Sequence, residues 1–469
     1  PYLSDEFMQR VRDCCEKAQK EGLYAWLYDE DRYPSGPAGG IVTRNPEYTR
    51  RYLRFTAYSY EEDVEYTVPQ RGFARNPQGE LLARYTVQLD EKGDLLSYRR
   101  LAAEETAADV WYLYFEKQPA TTDEEQTYVD TLNPEAIQEF ARVTYDRYKE
   151  TVGDFFGNVS PAIFTDEPQY ASMGELAYAK EKGDVILPWS NGFGEAFLQK
   201  EGFDLLDYMP ELIWNLPQGE ASRARYLYHD FLSERFAASF CDTLGGWCER
   251  NGIMFTGHIM GEGTLKGQAA IGGEMMRNYR AFHIPGIDVL GRHKLEFTTA
   301  KQCQSAVRQQ GSVGMMSELY GVSGWDFDFR GYKLQGDWQA AMGQYYQIED
   351  HFARVNVALT KGMPVVRIAV VHPMESVWLH MGPNDRSAAV LAQYEKNFEE
   401  LIHTLSHGFQ DFDFLSEARL PQLCEQGGAP LRVGQMAYDV VIVPGLETMR
   451  STTLGRLEAF WQAGGRLIF

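Results

Sequence analysis

The chain has 469 residues, 44% of them hydrophobic and 13% aromatic, too many for one ordinary core and enough for two or three domains. Lys and Arg number 45 against 67 Asp and Glu, a formal charge of -22 that repels polyanions and so excludes nucleic acid and anionic membrane surfaces as partners. A neutral substrate fits this charge better, and 28 Tyr, 26 Phe and nine Trp supply the flat rings on which sugar faces stack.

The first predicted helix starts at the cap Ser4, with Asp5 and Glu6 in its first turn, and stops at Gly22. A strand, Leu23 to Tyr28, follows and ends in Asp29, Glu30 and Asp31; the loop DRYPSGPAGG (31–40) then breaks any regular element. Residues from about 50 to 118 alternate in β fashion (RYLRFTAYSY, EYTV, LLARYTVQL, DVWYLYFE), with a hairpin turn at Glu91-Lys92-Gly93-Asp94, and read as an inserted antiparallel sheet. Asn133-Pro134 marks a helix start ahead of the stripe Ile137, Phe140, Ala141, Tyr145 and Tyr148.

From there strands and helices alternate: AIFTDEP (162–168), helices between Phe193 and Arg250, IMFTGHIMGE (253–262), IDVLG (287–291), a helix near Ala300 to Gln310, and VGMMSELYG (313–321). Such alternation predicts an α/β chain with a (β/α)8 TIM-type barrel over residues 1–362. Two strands before Pro1 would make LYAWLYDE strand three and VGMMSEL strand seven; an eighth is expected near Gly343, before a helix Tyr345 to Lys361. Residues 363–469 read as a doubly wound, flavodoxin- or glutamine-amidotransferase-like α/β domain, with strands VVRIAVVHP, DFDFLSE, YDVVIVPG and GGRLIF around helices Leu391 to His407 and Thr453 to Ala463. It ends inside a strand, so truncation at the C-terminus is expected, and the opening on Pro1 implies an incomplete N-terminus.

The six cysteines show no metal spacing and read as reduced thiols; with no signal peptide and no membrane-length apolar run, they favour cytoplasmic residence over secretion. No GxGxxG fingerprint or nucleophile elbow is present, so no cofactor is required.

Four apolar runs end on carboxylates, and acids at strand ends lie on one rim of a parallel sheet, where barrel enzymes work. Each acid alone reads equally as a helix cap or an ion-pair partner; four together point to hydrolysis by a carboxylic acid and a carboxylate. Glu167, between an apolar strand and Pro168, is the acid candidate, and Asp166 is expected to point the opposite way. Glu318 is the partner candidate, and Glu262 a general-base candidate. Asp29, Glu30, Asp130, Asp166, His258, Tyr320 and Trp325 form the substrate-binding set, Trp325 as the floor of a sugar subsite. The Asp29–Asp31 cluster also suits a Ca²⁺ ion. Gly257 and Gly261 are expected to let a ligand approach the backbone.

The segments YDEDRYPSGPAGG, YVDTLNPEA, IFTDEP, TGHIMGE and SELYGVSGWD, with the closing YDVVIVPG to GGRLIF, resemble the bacterial α-L-rhamnosidase-like enzymes of glycoside hydrolase family 106. The resemblance implies a barrel with the active site, followed by an α/β domain like the one after the barrel in family 42 β-galactosidases. It implies inversion, with Glu167 as acid, Glu262 or Glu318 as base, and a Ca²⁺ ion often nearby. The strand count instead places Glu167 and Glu318 as acid and nucleophile of a retaining barrel. A carboxyl separation of about 5 Å means retention and roughly 6.5 to 9.5 Å inversion. The expected function is removal of a terminal sugar from an oligosaccharide or glycoside of plant or host glycans. The alternatives are a catalytically silent carbohydrate-binding protein, a β-galactosidase-like retaining enzyme, and a metal hydrolase using Asp29 and His258, which the scarcity of clustered histidines disfavours.

Overall fold

The computed structural model describes residues 1–61, 75–119, 127–291, 296–342, 362 and 364–469. The first helix, Asp5–Glu21, is held as its sequence predicts: Ser4 Oγ accepts the Phe7 N–H at 3.2 Å, and Gly22 closes it in the left-handed region at φ 69°. Strand β1 is only Leu27–Tyr28, shorter than expected because the exposed Leu23 and Tyr24 stay outside the sheet.

Strands β2 (Arg51–Thr56), β3 (Glu80–Leu89), β4 (Leu95–Arg100) and β5 (Val110–Lys117) form the expected antiparallel sheet. At its hairpin the Asp90 carboxylate accepts the N–H groups of Lys92 and Asp94, both at 2.8 Å. The EYTV segment lies outside the described residues. Helix Pro134–Phe140, capped by Asn133, runs through a π-helical turn into Asp146–Val152. Strand β6 is Ala162–Asp166, and β7 is Asp184–Pro188.

Strand β7 corrects the predicted limits of the insertion. It pairs antiparallel with β2 and completes the order β4-β3-β5-β2-β7, so the sheet recruits chain well beyond residue 118. Buried Arg54 on β2 ties the two sides, reaching Glu116 on β5 at 2.7 Å and Asp184 on β7 at 2.8 Å.

Strands β8 (Met254–His258), β9 (Ile284–Asp288) and β10 (Met316–Glu318) join β1 and β6 in a parallel sheet of order β1-β6-β8-β9-β10. Neighbours follow chain order, as the count from strand three to strand seven requires. Among the described residues this sheet has five strands with β1 and β10 at its edges, so a closed eight-stranded barrel is not seen. The strand expected near Gly343 and the helix Tyr345 to Lys361 lie outside the described residues; an unpredicted helix, Phe329–Met342, precedes them.

A second parallel sheet contains β11 (Ile368–Val371), β12 (Phe412–Leu415), β15 (Val440–Ile442) and β16 (Arg466–Ile468) in the order β12-β11-β15-β16; a hairpin of β13 (Leu431–Val433) and β14 (Met436–Tyr438), not foreseen, sits beside it. The reversal at β11 is the doubly wound pattern. One face packs Val370, Phe412 and Phe414 against Leu265, Ala269 and Met276, so a core layer joins the two sheets' regions. Among the described residues, no helix is long and apolar enough to cross a membrane.

Candidate functional site

Register brings acids and one imidazole to the C-terminal rim of the five-stranded sheet. Asp166 on β6 lies beside His258 on β8, and Asp288 on β9 beside Glu318 on β10. Strands β6 and β8 approach so closely that a Cβ at Gly257 would overlap the Thr165 carbonyl, and one at Gly261 would overlap Ile271. Both glycines therefore serve contacts within the protein rather than approach of a ligand, a correction to their expected use.

At Glu167 the strand stops. Its φ of +47° puts a non-glycine residue in the left-handed region, at a cost of about 1 kcal/mol, and its N–H donates to the His258 carbonyl at 3.2 Å. The turn cancels the expected alternation: Asp166 and Glu167 both direct a carboxyl to His258 rather than to opposite sides.

His258 is fully buried at the centre. Its Nε2 meets Glu318 Oε2 at 3.1 Å and stands 3.8 Å from Asp166 Oδ1. The atoms of Asp166, His258 and Glu318 gather within 4.8 Å of one another, as do those of Glu167, His258 and Asp288. Behind them Glu262 is buried with both oxygens in use, Oε2 accepting from Tyr279 at 3.1 Å and Oε1 from the Asp288 N–H. Glu318 keeps 41% of its side chain exposed and opens the cluster to solvent.

The protonation states diverge. Burial pushes Glu167 up to about 7, opposed by His258 and aided by Asp288 and Asp166. Burial likewise lifts Glu262 to about 8 and raises Asp166 and Asp288. Burial would lower His258, but the Glu318 hydrogen bond and the surrounding acids carry it to about 9. Glu318 is lowered, chiefly by its bond to His258. The cluster thus sets Glu167 and Glu262, which burial raises, against Glu318, which the His258 hydrogen bond lowers.

Three expected substrate ligands are structural instead. Asp29 is buried, accepting from Ser35 Oγ at 2.6 Å and Tyr145 Oη at 2.7 Å. Glu30 collects the N–H groups of Asp31, Gly36, Ala38 and Gly39, which accounts for the fold of the DRYPSGPAGG loop. Ser35 in turn accepts the Asp166 N–H at 2.8 Å, so this cluster fixes the end of β6 from behind. Asp130 is buried on Ser190 Oγ at 2.6 Å and the Leu132 N–H at 3.1 Å. Their oxygens are filled by protein donors and do not form the cage of six to eight oxygens that Ca²⁺ takes.

Tyr320 lies next to the site residue Glu318 in a left-handed turn, its ring 4.7 Å from that of Tyr332, and the Trp325 indole is fully exposed in the loop that follows. Two residues escaped the sequence reading. Asp288 ends the apolar run IPGID in the same way as the four acids that were singled out, so the signal was present. Tyr28, which donates to Asp166 Oδ2 at 2.7 Å, carried none. A cavity of about 420 Å³ lies elsewhere, and its lining among the described residues, including Arg308, Val313, Met315, Pro364 and Gln435, contains no acid.

No family model and no curated protein matches the sequence. Solved structures do match in fold. A rhamnosidase from Novosphingobium sp. PP1Y superposes with a TM-score of 0.55 at 16% identity, covering 78% of this chain and 37% of that one. A beta-galactosidase from Rahnella sp. R3 gives 0.51 at 13% identity, covering 97% of this chain and 62% of that one. The likeness is one of fold, and the chain spans less than two thirds of either neighbour.

Proposed function

We propose that this chain carries the catalytic site of a glycoside hydrolase that releases a terminal sugar, an α-L-rhamnoside or a related glycoside, by a two-carboxylate mechanism. The observation that carries the reading is the placement of Glu167 and Glu318 around the one buried His258 ring; burial raises the first carboxyl and the His258 hydrogen bond lowers the second. Glycosidic cleavage needs that division: Glu167 protonates the departing oxygen, and Glu318 attacks the anomeric carbon or activates water. Glu318 is favoured over Glu262 as partner because it is half-open to solvent, whereas both Glu262 oxygens are engaged. His258 keeps Glu318 ionised, and Trp325 offers its ring to a sugar face.

In the same reading the parallel sheet represents strands three to seven of a (β/α)8 barrel spanning residues 1–362, with 363–469 as a separate doubly wound domain. The fold likeness to a rhamnosidase and a beta-galactosidase supports this assignment. The test is release of nitrophenol from a panel of nitrophenyl glycosides, α-L-rhamnoside and β-galactoside first. Turnover that Glu167→Gln abolishes supports the reading. Saturable sugar binding without product over long incubation would replace it with a silent carbohydrate-binding protein.

A further inference from the structure

We propose that Asp288 is the positioning residue for Glu167, the two carboxyl groups holding a single proton between them that rests on Glu167. The inference builds on the hydrolase reading, in which Glu167 is the acid. Asp288 is placed by two independent constraints. Its strand position is set by pairing of β9 with β10, and its N–H is taken by the buried Glu262, itself held by Tyr279. Its side chain lies against Glu167 and His258, the ligand atoms of the three within 4.8 Å of one another. Two half-buried carboxylates this close repel each other unless a proton lies between them. Asp288 Oδ1 is also buried with no donor from the protein, and a carboxyl proton is the donor it lacks.

The surrounding charges decide where that proton sits. His258 on β8 attracts negative charge to both groups, while Asp166 on β6 repels it from both and Glu318 on β10 repels it from Asp288. The mutual hydrogen bond raises Glu167 and lowers Asp288, so Glu167 is the donor and Asp288 the acceptor. When Glu167 passes its proton to the departing sugar oxygen as the C–O bond breaks, two carboxylates remain beside the imidazolium until a proton from solvent restores the pair.

Carbon-13 NMR of protein labelled at glutamate side chains, without substrate, tests this directly, with Glu167→Gln assigning the signal. In the wild type the Glu167 carboxyl carbon should titrate near 7 and show a second, smaller step from Asp288. In Asp288→Asn the second step vanishes and the main one moves down by about one unit, so kcat/KM falls about tenfold on the alkaline side of its optimum. A single wild-type step at the ordinary glutamate value overturns the pairing without needing any variant to fold. So does a folded Asp288→Asn protein in which Glu167 titrates unchanged. Absence of glycosidase activity alongside a two-step titration would remove the hydrolase reading and leave the pair standing.

Discussion

Two acid clusters in this molecule are built from the same residue types and behave differently. Around His258 five carboxyl groups share one imidazole, and Glu318 opens to water. Between the two parallel sheets, at the ends of β11 and β12, the buried acids Glu274, Glu375 and Glu417 join Asp230 around two arginines. Arg450 reaches Asp230 at 2.6 Å and Glu375 at 2.7 Å, and its N–H donates to Glu417 at 2.7 Å; Arg277 reaches Asp230 at 2.8 Å and Glu274 at 3.0 Å. In open α/β sheets this crevice takes ligands. Here it is filled by the protein's own ion pairs. The two guanidinium forks pull the Asp230 carboxyl well below the usual range, whereas burial still raises Glu375 and Glu417 beside them; around His258 a single ring meets all the acids and one of them reaches solvent. The difference teaches that solvent access, rather than the count of acids, separates a sealed strut from a candidate site.

The comparison sharpens most through Glu318→Gln. Because Glu318 is partly exposed and the proposed function gives it a chemical role, turnover should drop roughly 10²- to 10⁴-fold while the melting temperature stays within a few degrees, read by kinetics and calorimetry on the same sample. Arg450→Met should do the reverse, stripping partners from Glu375 and Asp230 and costing about 3–5 kcal/mol in urea titration while the folded fraction keeps its specific activity. Equal effects of both changes on stability would erase the distinction.

A smaller effect concerns pH. Burial lifts Glu375 to about 8 and Glu417 to about 7 in the folded protein, against 4.5 unfolded. The folded state therefore holds more protons between those values, and stability present below 4.5 is lost as pH rises through 7 to 8. Burial lowers His229 to about 3 and His372 to about 4, against 6.5 unfolded, so stability also falls as pH drops below 6.5. Between pH 4.5 and 6.5 the two effects offset, so the melting temperature should hold a plateau there and fall on both sides, and Glu417→Gln should flatten the alkaline slope; a slope unchanged in that variant would contradict the assignment. The smallest change expected is Trp325→Ala, with an unaltered melting temperature and a KM raised a few-fold, on the order of 1 kcal/mol.

Much of this was legible in the chain because local rules governed it. Ser4 and Gly22 bound a helix whose caps are contained in those residues, and Asn133-Pro134 did the same. Strand-end acids at Glu167 and Glu318 were visible because apolar runs stop there. What escaped depended on distant partners. Strand β7 joins a sheet formed more than a hundred residues earlier through Arg54 and Asp184, and no local pattern marks that pairing. Asp29 and Glu30 carried the same signal as Glu167, yet a loop with its own N–H groups claimed Glu30 and two hydroxyls claimed Asp29. The direction of Glu167 itself turned on one left-handed residue, which alternation alone would place wrongly.

The central claim, that Glu167 is the acid of a glycosidase, is tested most directly by turnover of Glu167→Gln on two aryl glycosides of the same sugar, one with a good leaving group and one with a poor one. The account predicts that turnover of the poorly activated glycoside falls by orders of magnitude while the activated one, whose departure needs no proton, is largely spared. Wild-type rates on both substrates would contradict it.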